Sequence, residues 1–295
     1  MIILITGAGG QLGRDCIYIM QDDHTVFGYT SRRLDIISLE QIQREVAIVH
    51  PDIIINCAAY TAVDDCENEQ DRCRAVNKQG AANLARACAA ANCKLIHIST
   101  DYVFDGNKPV PEAYTEQDPV SPLSVYGRSK LAGEQAIEAA MDNFLILRTA
   151  WLYGMGGENF LKTMLRLAIA DPKRTIRVVN DQYGSLTWTM TLARQIKNML
   201  TVDITGLVHA TAENYSTWFA GAEYFLQAMN EDFSLEPCTT EEYPTPAHRP
   251  TNSILANNRL KEHGLHVMQN WQQDIDDFVA MYRDDLLQEA GSQVL

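Results

Sequence analysis

Met1-Ile-Ile-Leu-Ile-Thr-Gly-Ala-Gly-Gly-Gln-Leu-Gly13 opens the chain by running from an apolar segment straight into closely spaced glycines. Ile2–Thr6 has the composition of a buried strand, and the residues after Gly10 begin a helix that extends to about Met20. The glycines follow the spacing Gly7-x-x-Gly10-x-x-Gly13. Glycine at such a junction supplies a tight turn, lets a ligand approach the backbone and allows the helix to pack close to the strand. The helix start then offers unpaired amides to an anion such as a pyrophosphate. An ordinary glycine-rich turn would look the same in isolation, so the pattern around it has to decide.

Further along, apolar runs alternate with helical periodicity. Strands are expected at Thr25–Tyr29, Asp52–Ala58, Lys94–Ser99 and Phe144–Thr149. Ser38-Leu-Glu-Gln41 reads as a capping box for a helix ending near His50, and Asp71–Ala91 as an alanine-rich helix. Apolar strands separated by helices predict a doubly wound parallel α/β sheet covered on both faces. After about residue 150 the rhythm loosens. Helices are expected over Asn159–Ile169, Thr189–Leu200, Ser216–Met229 and Trp271–Leu287, with short strands near Ile176–Val179 and Gly206–Ala210. The expected division is a nucleotide-binding domain over 1–150, also receiving segments near 170–205, and a smaller α/β substrate lobe over 151–295, with a ligand cleft between them.

Composition removes other classes. A formal net charge of −14 argues against a nucleic-acid binder, and no apolar run is long enough to span a bilayer. The seven cysteines form no CxxC pair and are odd in number, which reads as free thiols in a reducing compartment. Because a structural strand starts at the first residues, no targeting segment is expected and the chain is placed in the cytoplasm.

Between the fourth and fifth strands, Pro122-Leu-Ser-Val-Tyr-Gly-Arg-Ser-Lys130 sets Tyr126 and Lys130 four apart, on one helical face. Ser99-Thr100 closes the fourth strand, at the carboxyl edge where open α/β sheets bind ligands. A free phenol is a weak acid at neutral pH; an adjacent ammonium is expected to lower its pKa, and the Thr100 hydroxyl to bind the reacting oxygen beside it. His97, inside the fourth strand, reads as a core histidine rather than a catalyst.

These residues resemble the extended short-chain dehydrogenase/reductase superfamily, and within it the dTDP-4-dehydrorhamnose reductase family. The resemblance rests on Gly10-Gln-Leu-Gly13, Asn56-Cys-Ala-Ala-Tyr-Thr61, Ser99-Thr-Asp-Tyr-Val-Phe104, Tyr126-Gly-x-x-Lys130 and Arg148-Thr-x-Trp-Leu-Tyr153. It continues through Asn159-Phe-x-Lys-Thr-Met164, Asn180-Asp-Gln-x-Gly184 and Tyr243-Pro-Thr-Pro-Ala-x-Arg-Pro250. It implies a Rossmann-type fold and NAD(P)H-dependent reduction of the 4-keto group of dTDP-4-dehydro-L-rhamnose to dTDP-L-rhamnose, in the service of polysaccharide biosynthesis. Thr100, Tyr126 and Lys130 become the implied catalytic residues. The cofactor, NADPH or NADH, is expected against Gly7, Gly10, Gln11, Leu12, Gly13, Ala58, Ala59, Tyr60, Tyr126 and Lys130, with Asp35 and Ile36 near the adenine. Ser31 and Arg32 offer donors to a 2′-phosphate. The sugar side is implied at Thr61, Val63, Thr100, Asp101, Tyr102 and Trp151, and the thymidine diphosphate at Asn159, Gln182 and Arg249. Trp151 reads equally as a core residue and Arg249 as a salt-bridge partner.

No metal is expected. Some relatives carry a divalent ion between carboxylates of a dimer; Asp15 offers one such group, but Thr187-Trp-Thr-Met-Thr191 offers none. The chain is expected as a monomer or homodimer. A non-catalytic NADP-binding regulatory subunit, resembling the methionine adenosyltransferase β subunit, is one rival; retention of Thr100, Tyr126 and Lys130 argues against it. A nucleotide-sugar epimerase or dehydratase is another, and there the cofactor would be regenerated rather than consumed.

Overall fold

The computed structural model describes residues 1–292. Its first half comprises β1 (Ile2–Thr6), α1 (Gln11–Met20), β2 (Thr25–Tyr29), α2 (Leu39–Val49), β3 (Ile53–Asn56), α3 (Asp65–Asn68), α4 (Gln70–Arg74), a π-helical turn (Ala75–Gly80), α5 (Ala81–Ala91), β4 (Lys94–Thr100), α6 (Val125–Glu138) and β5 (Phe144–Thr149). The second half adds β6 (Leu152–Tyr153), α7 (Phe160–Ala170), β7 (Thr175–Val179), β8 (Tyr183–Gly184), β9 (Thr187–Trp188), α8 (Thr189–Met199), β10 (Gly206–His209), β11 (Ser216–Thr217), α9 (Trp218–Met229), β12 (Ser234–Cys238), α10 (Asn258–Glu262) and α11 (Trp271–Ser292).

Six strands form one sheet in the order β10-β5-β4-β3-β1-β2, with every pairing parallel. Alternate side chains supply the two faces. Ile3, Ile5, Ile53, Ile55 and Leu145 pack with residues of α1 and α8, while Leu4, Ile54, Leu95 and Ile146 pack with residues of α2 and α5. Each fully buried side chain of this size contributes about 1.5–3 kcal/mol. The chain leaves β1 for β2 on one side and returns to β3 on the other, so the crevice above β1 and β3 is the topological switch point where such sheets bind ligands.

The expected helix at 71–91 is interrupted by the π turn, which presents Asn77 toward α6: its Nδ2 donates to the Ser129 hydroxyl at 3.0 Å. Ser38 does cap α2, accepting from the Gln41 amide at 3.3 Å, but the Gln41 side chain accepts from the Asp35 amide at 3.1 Å. The strand expected over 52–58 is limited to Ile53–Asn56, and the helix expected from Ser216 begins at Trp218, after the two-residue β11. β12, paired in parallel with β7, is not among the expected strands; Glu236 and Pro237 within it hide its period.

β10 and α8 lie with the main sheet, and Leu192, Ile196, Val208 and Leu260 share its core. A second core gathers Leu161, Trp188, Phe225 and Phe278 between α7, α9 and α11. Among the described residues, no helix is long and apolar enough to cross a membrane.

Candidate active site

A cavity of about 590 Å³ opens at the carboxyl ends of β1, β3, β4 and β5. Its floor is the glycine turn. Gly7 has φ +68°, and a side chain there would stand 2.6 Å from the Ala58 amide nitrogen. A Cβ on Gly13 would stand 2.3 Å from the Gly7 carbonyl. The turn therefore packs too tightly for side chains. Gly10, at the head of α1, makes no side-chain cap, so the first amides of the helix remain available to a phosphate. Gly10, Gln11 and Leu12 line the cavity with them.

At one end the wall is formed by Thr30, Ser31, Asp35 and Ile36, as expected for the adenosine side. Arg32 is exposed and is not part of this wall, whereas the Arg33 guanidinium lies 4.7 Å from the Tyr29 ring centroid and 3.8 Å from Glu45. Ala58, Ala59, Tyr60 and Thr61 form the middle. Asn77 holds this segment by its backbone: the Tyr60 amide donates to Asn77 Oδ1 at 2.8 Å, and Asn77 Nδ2 donates to the Tyr60 carbonyl at 3.1 Å.

Thr100, Tyr126 and Lys130 meet at the other end of the same cavity. Ser124 caps α6 by accepting from the Gly127 amide at 3.1 Å, and Gly127 fits under the Tyr102 carbonyl, where a Cβ would stand at 2.2 Å. These contacts aim the Tyr126 face at the end of β4. Burial pushes the Tyr126 phenol well above its ordinary value, opposed by its hydrogen bond with Thr100. The expected lowering of this phenol is not found: low-dielectric surroundings keep it in its neutral, proton-carrying form. Lys130 is itself buried, donates to the Ile98 carbonyl at 2.6 Å, and is pushed down by burial to about 8. Asp101, also buried, accepts from Thr100 Oγ1 at 3.0 Å and is pushed up by burial to about 6.

Of the residues expected on the sugar side, Val63 and Tyr102 pack against the cluster of Cys66, Cys73, Val125 and Tyr126, with the Tyr102 and Tyr126 rings edge-on at 5.5 Å. Trp151 has φ +48° and stacks on Trp218 at 3.7 Å. Gly184 is what admits it, since a Cβ there would lie 2.5 Å from the Trp151 ring. Gln182 accepts from the Trp218 indole at 3.1 Å and donates to Thr240 at 3.0 Å. Asn159 caps α7 and donates to Gln11 Oε1 at 3.0 Å, so it braces the glycine turn. Arg249 forks onto Asp64, with Nη2–Oδ2 2.8 Å and Nη1–Oδ1 3.1 Å, and this pairing holds the Asp64 carboxyl below its usual range. The cavity wall does not include Val63, Asp101, Tyr102, Trp151, Asn159, Gln182 or Arg249.

No site role is read from the sequence for Asn56, Asn77, Thr149 or Gly157, although Asn56 and Thr149 stand in the runs that carry the resemblance. Gly157 and Thr149 line the cavity, and Asn56 bonds to His97, which in turn lies against Lys130. A polar residue at the end of an apolar strand, such as Asn56 or Thr149, was the available signal. The carboxylate Asp15, considered as a metal ligand, instead accepts from Thr189 at 2.5 Å inside the fold. Among the described residues, no group of three or more His, Cys, Asp or Glu is placed to hold a metal ion.

A parallel sheet with a glycine turn at its switch point, facing a Tyr–Lys helix across one cavity, defines a Rossmann-type oxidoreductase. The chain belongs to the RmlD substrate binding domain family, which it matches over residues 1–284. It is 40% identical over 287 residues to a dTDP-4-dehydrorhamnose reductase of Mycolicibacterium smegmatis, covering 94% of this chain and 85% of that one. Its fold superposes on a dTDP-4-dehydrorhamnose reductase of Clostridium acetobutylicum with a TM-score of 0.91 at 38% identity, covering 98% and 100% of the two chains. The same score, at 37% identity and 95% and 99% coverage, relates it to the Bacillus anthracis enzyme solved in complex with NADP.

Proposed function

We propose that this chain reduces the 4-keto group of dTDP-4-dehydro-L-rhamnose with NAD(P)H, giving dTDP-L-rhamnose. The observation that carries the reading is a single cavity that joins the glycine turn to Thr100, Tyr126 and Lys130. The relatives named above support the reductase reading rather than a regulatory subunit.

Bound NAD(P)H supplies the hydride. The amides at the head of α1 hold the pyrophosphate, Thr30–Ser31 and Asp35–Ile36 flank the adenosine, and Ala58–Tyr60 support the middle of the cofactor. Tyr126 donates its proton to the sugar O4 as negative charge develops there, a role its burial favours by keeping the phenol protonated. Thr100 holds the same oxygen by a hydrogen bond. Lys130 steadies the ribose beside it. Val63, Asp101, Tyr102 and Trp151 shape the sugar site, with Thr61 at its edge, while Asn159, Gln182 and Arg249 serve the nucleotide diphosphate. The protein acts in the cytoplasm as a monomer or homodimer, and all seven cysteines are free thiols, as a reducing compartment would keep them.

The test is to incubate the protein with dTDP-4-dehydro-L-rhamnose and follow product and NAD(P)H together. One reduced cofactor consumed per product supports the reductase. Product without net consumption identifies an epimerase, and no turnover supports a binding subunit.

A further inference from the structure

A continuous polar chain runs beneath the cavity, through three strands of the sheet. Thr6 Oγ1 donates to Asn56 Oδ1 at 2.6 Å, Asn56 Nδ2 lies 2.8 Å from His97 Nδ1, and His97 Nε2 lies 3.4 Å from Lys130 Nζ. All four side chains are at most 2% exposed. The direction of the hydrogens can be derived. The Ala58 backbone amide, which can only donate, points at Asn56 Oδ1 from 3.1 Å. That pins the oxygen end of Asn56, so its NH₂ faces His97 and His97 Nδ1 must accept. The imidazole hydrogen is then on Nε2, facing Lys130. An ammonium has three hydrogens and no lone pair, and it would meet this N–H donor to donor; a neutral amine accepts it.

We propose that the Thr6–Asn56–His97 chain is a positioning device for Lys130, fixing His97 as its Nε2–H tautomer and so favouring the neutral amine of Lys130 over its ammonium. The importance of this to catalysis rests on the reading of Lys130 given above; the tautomer and its effect on the amine do not. The other titratable groups acting on the amine are Glu134 on its own helix, Cys73 from α4 and Cys57 after β3, and Tyr126, one turn back on that helix, lines the same cavity. Glu134 pulls the other way, but its carboxylate is shared with the Arg148 guanidinium at 2.6 Å and 3.0 Å and with the Ser99 hydroxyl. Burial holds His97 well below the ordinary histidine range, so it stays neutral, and depresses Lys130 in the same sense as the donor it faces. His97, which the sequence presents as a core residue, is therefore both core and adjacent to the machinery.

Nitrogen-15 NMR of the full-length protein reads the tautomer directly. The expected result is a His97 protonated at Nε2 and unprotonated at Nδ1; the opposite tautomer, or an imidazolium, overturns the proposal. Side-chain NMR of labelled lysine, with Lys130 assigned by its loss in Lys130→Arg, reads the amine. Wild-type Lys130 should titrate well below the other lysines. His97→Leu removes the donor and should raise that midpoint by about one pH unit, while His97→Gln, which keeps an N–H at the Nε2 position, should leave it in place. An unmoved midpoint in His97→Leu, or equal shifts in both variants, overturns it. Turnover of Lys130→Met is measured alongside: retained activity refutes the catalytic reading of Lys130, whereas the two NMR results judge the His97 proposal by themselves.

Discussion

At the scale of single residues, Tyr126 and Arg249 show how surroundings decide what a side chain can do. Tyr126 is 9% exposed, and its burial favours the phenol over the phenolate. That suits proton donation, the direction a reduction needs. Tyr126→Phe should lower kcat by about 100-fold or more, with NAD(P)H affinity from fluorescence titration nearly unchanged. Near wild-type turnover would remove Tyr126 as the acid. Arg249 is a planar fork already engaged by Asp64, so a diphosphate has to compete for it. Arg249→Ala should weaken dTDP binding in calorimetry toward the low end of the range of about 1.5–3 kcal/mol for a charge-assisted hydrogen bond. An unchanged Kd would leave Arg249 as a brace between Asp64 and the 245–249 loop.

The turn after β2 is the element that bears on cofactor choice. An NAD-selective site normally ends this strand with an acid that meets the ribose hydroxyls and repels a 2′-phosphate. Here Phe27-Gly-Tyr-Thr-Ser-Arg-Arg33 has no acid before Asp35, and Thr30 and Ser31 line the cavity. Arg33 is turned onto Tyr29 and Glu45, which leaves Arg32, exposed at the mouth of the turn, as the guanidinium to swing onto a phosphate. The expected ratio of kcat/KM for NADPH over NADH is at least one, and it should fall in Arg32→Ala. A wild-type ratio well below one would show that Asp35, on the cavity wall, governs the ribose instead.

Across the whole molecule, packing of α11 against α7, α9 and β9 buries Asp274 completely, with its carboxylate accepting from Thr191 of α8 at 2.6 Å. Burial pushes this group up to about 7 from 3.8. A carboxyl raised on folding is bound to its proton more tightly in the native state, so its stabilising contribution is complete below the unfolded value and is lost as pH rises through about 7. Asp274→Asn keeps an acceptor for Thr191 and cannot ionise. Denaturant melts between pH 5 and 8 should therefore show a smaller loss of stability at the alkaline end in the variant than in the parent protein. Parallel pH profiles for the two proteins would dismiss Asp274 as the titrating group.

Local chemistry was enough to read β1, the glycine turn and the parallel α/β pattern, because period, branching and glycine spacing are properties of neighbouring residues. The same holds for Tyr126 and Lys130, which share a helix face by spacing alone. What lay beyond the sequence was every relation between distant segments. Trp151 reaches Trp218 across 67 positions only because Gly184 leaves room for the ring. Asp64 and Arg249 meet from 185 positions apart. Asn56, Asn77 and His97 look like polar interruptions in apolar or helical runs until strand pairing and the π turn bring them to Tyr60, Ser129 and Lys130. Nor could spacing show that desolvation, a property of the assembled interior, would set the proton on Tyr126.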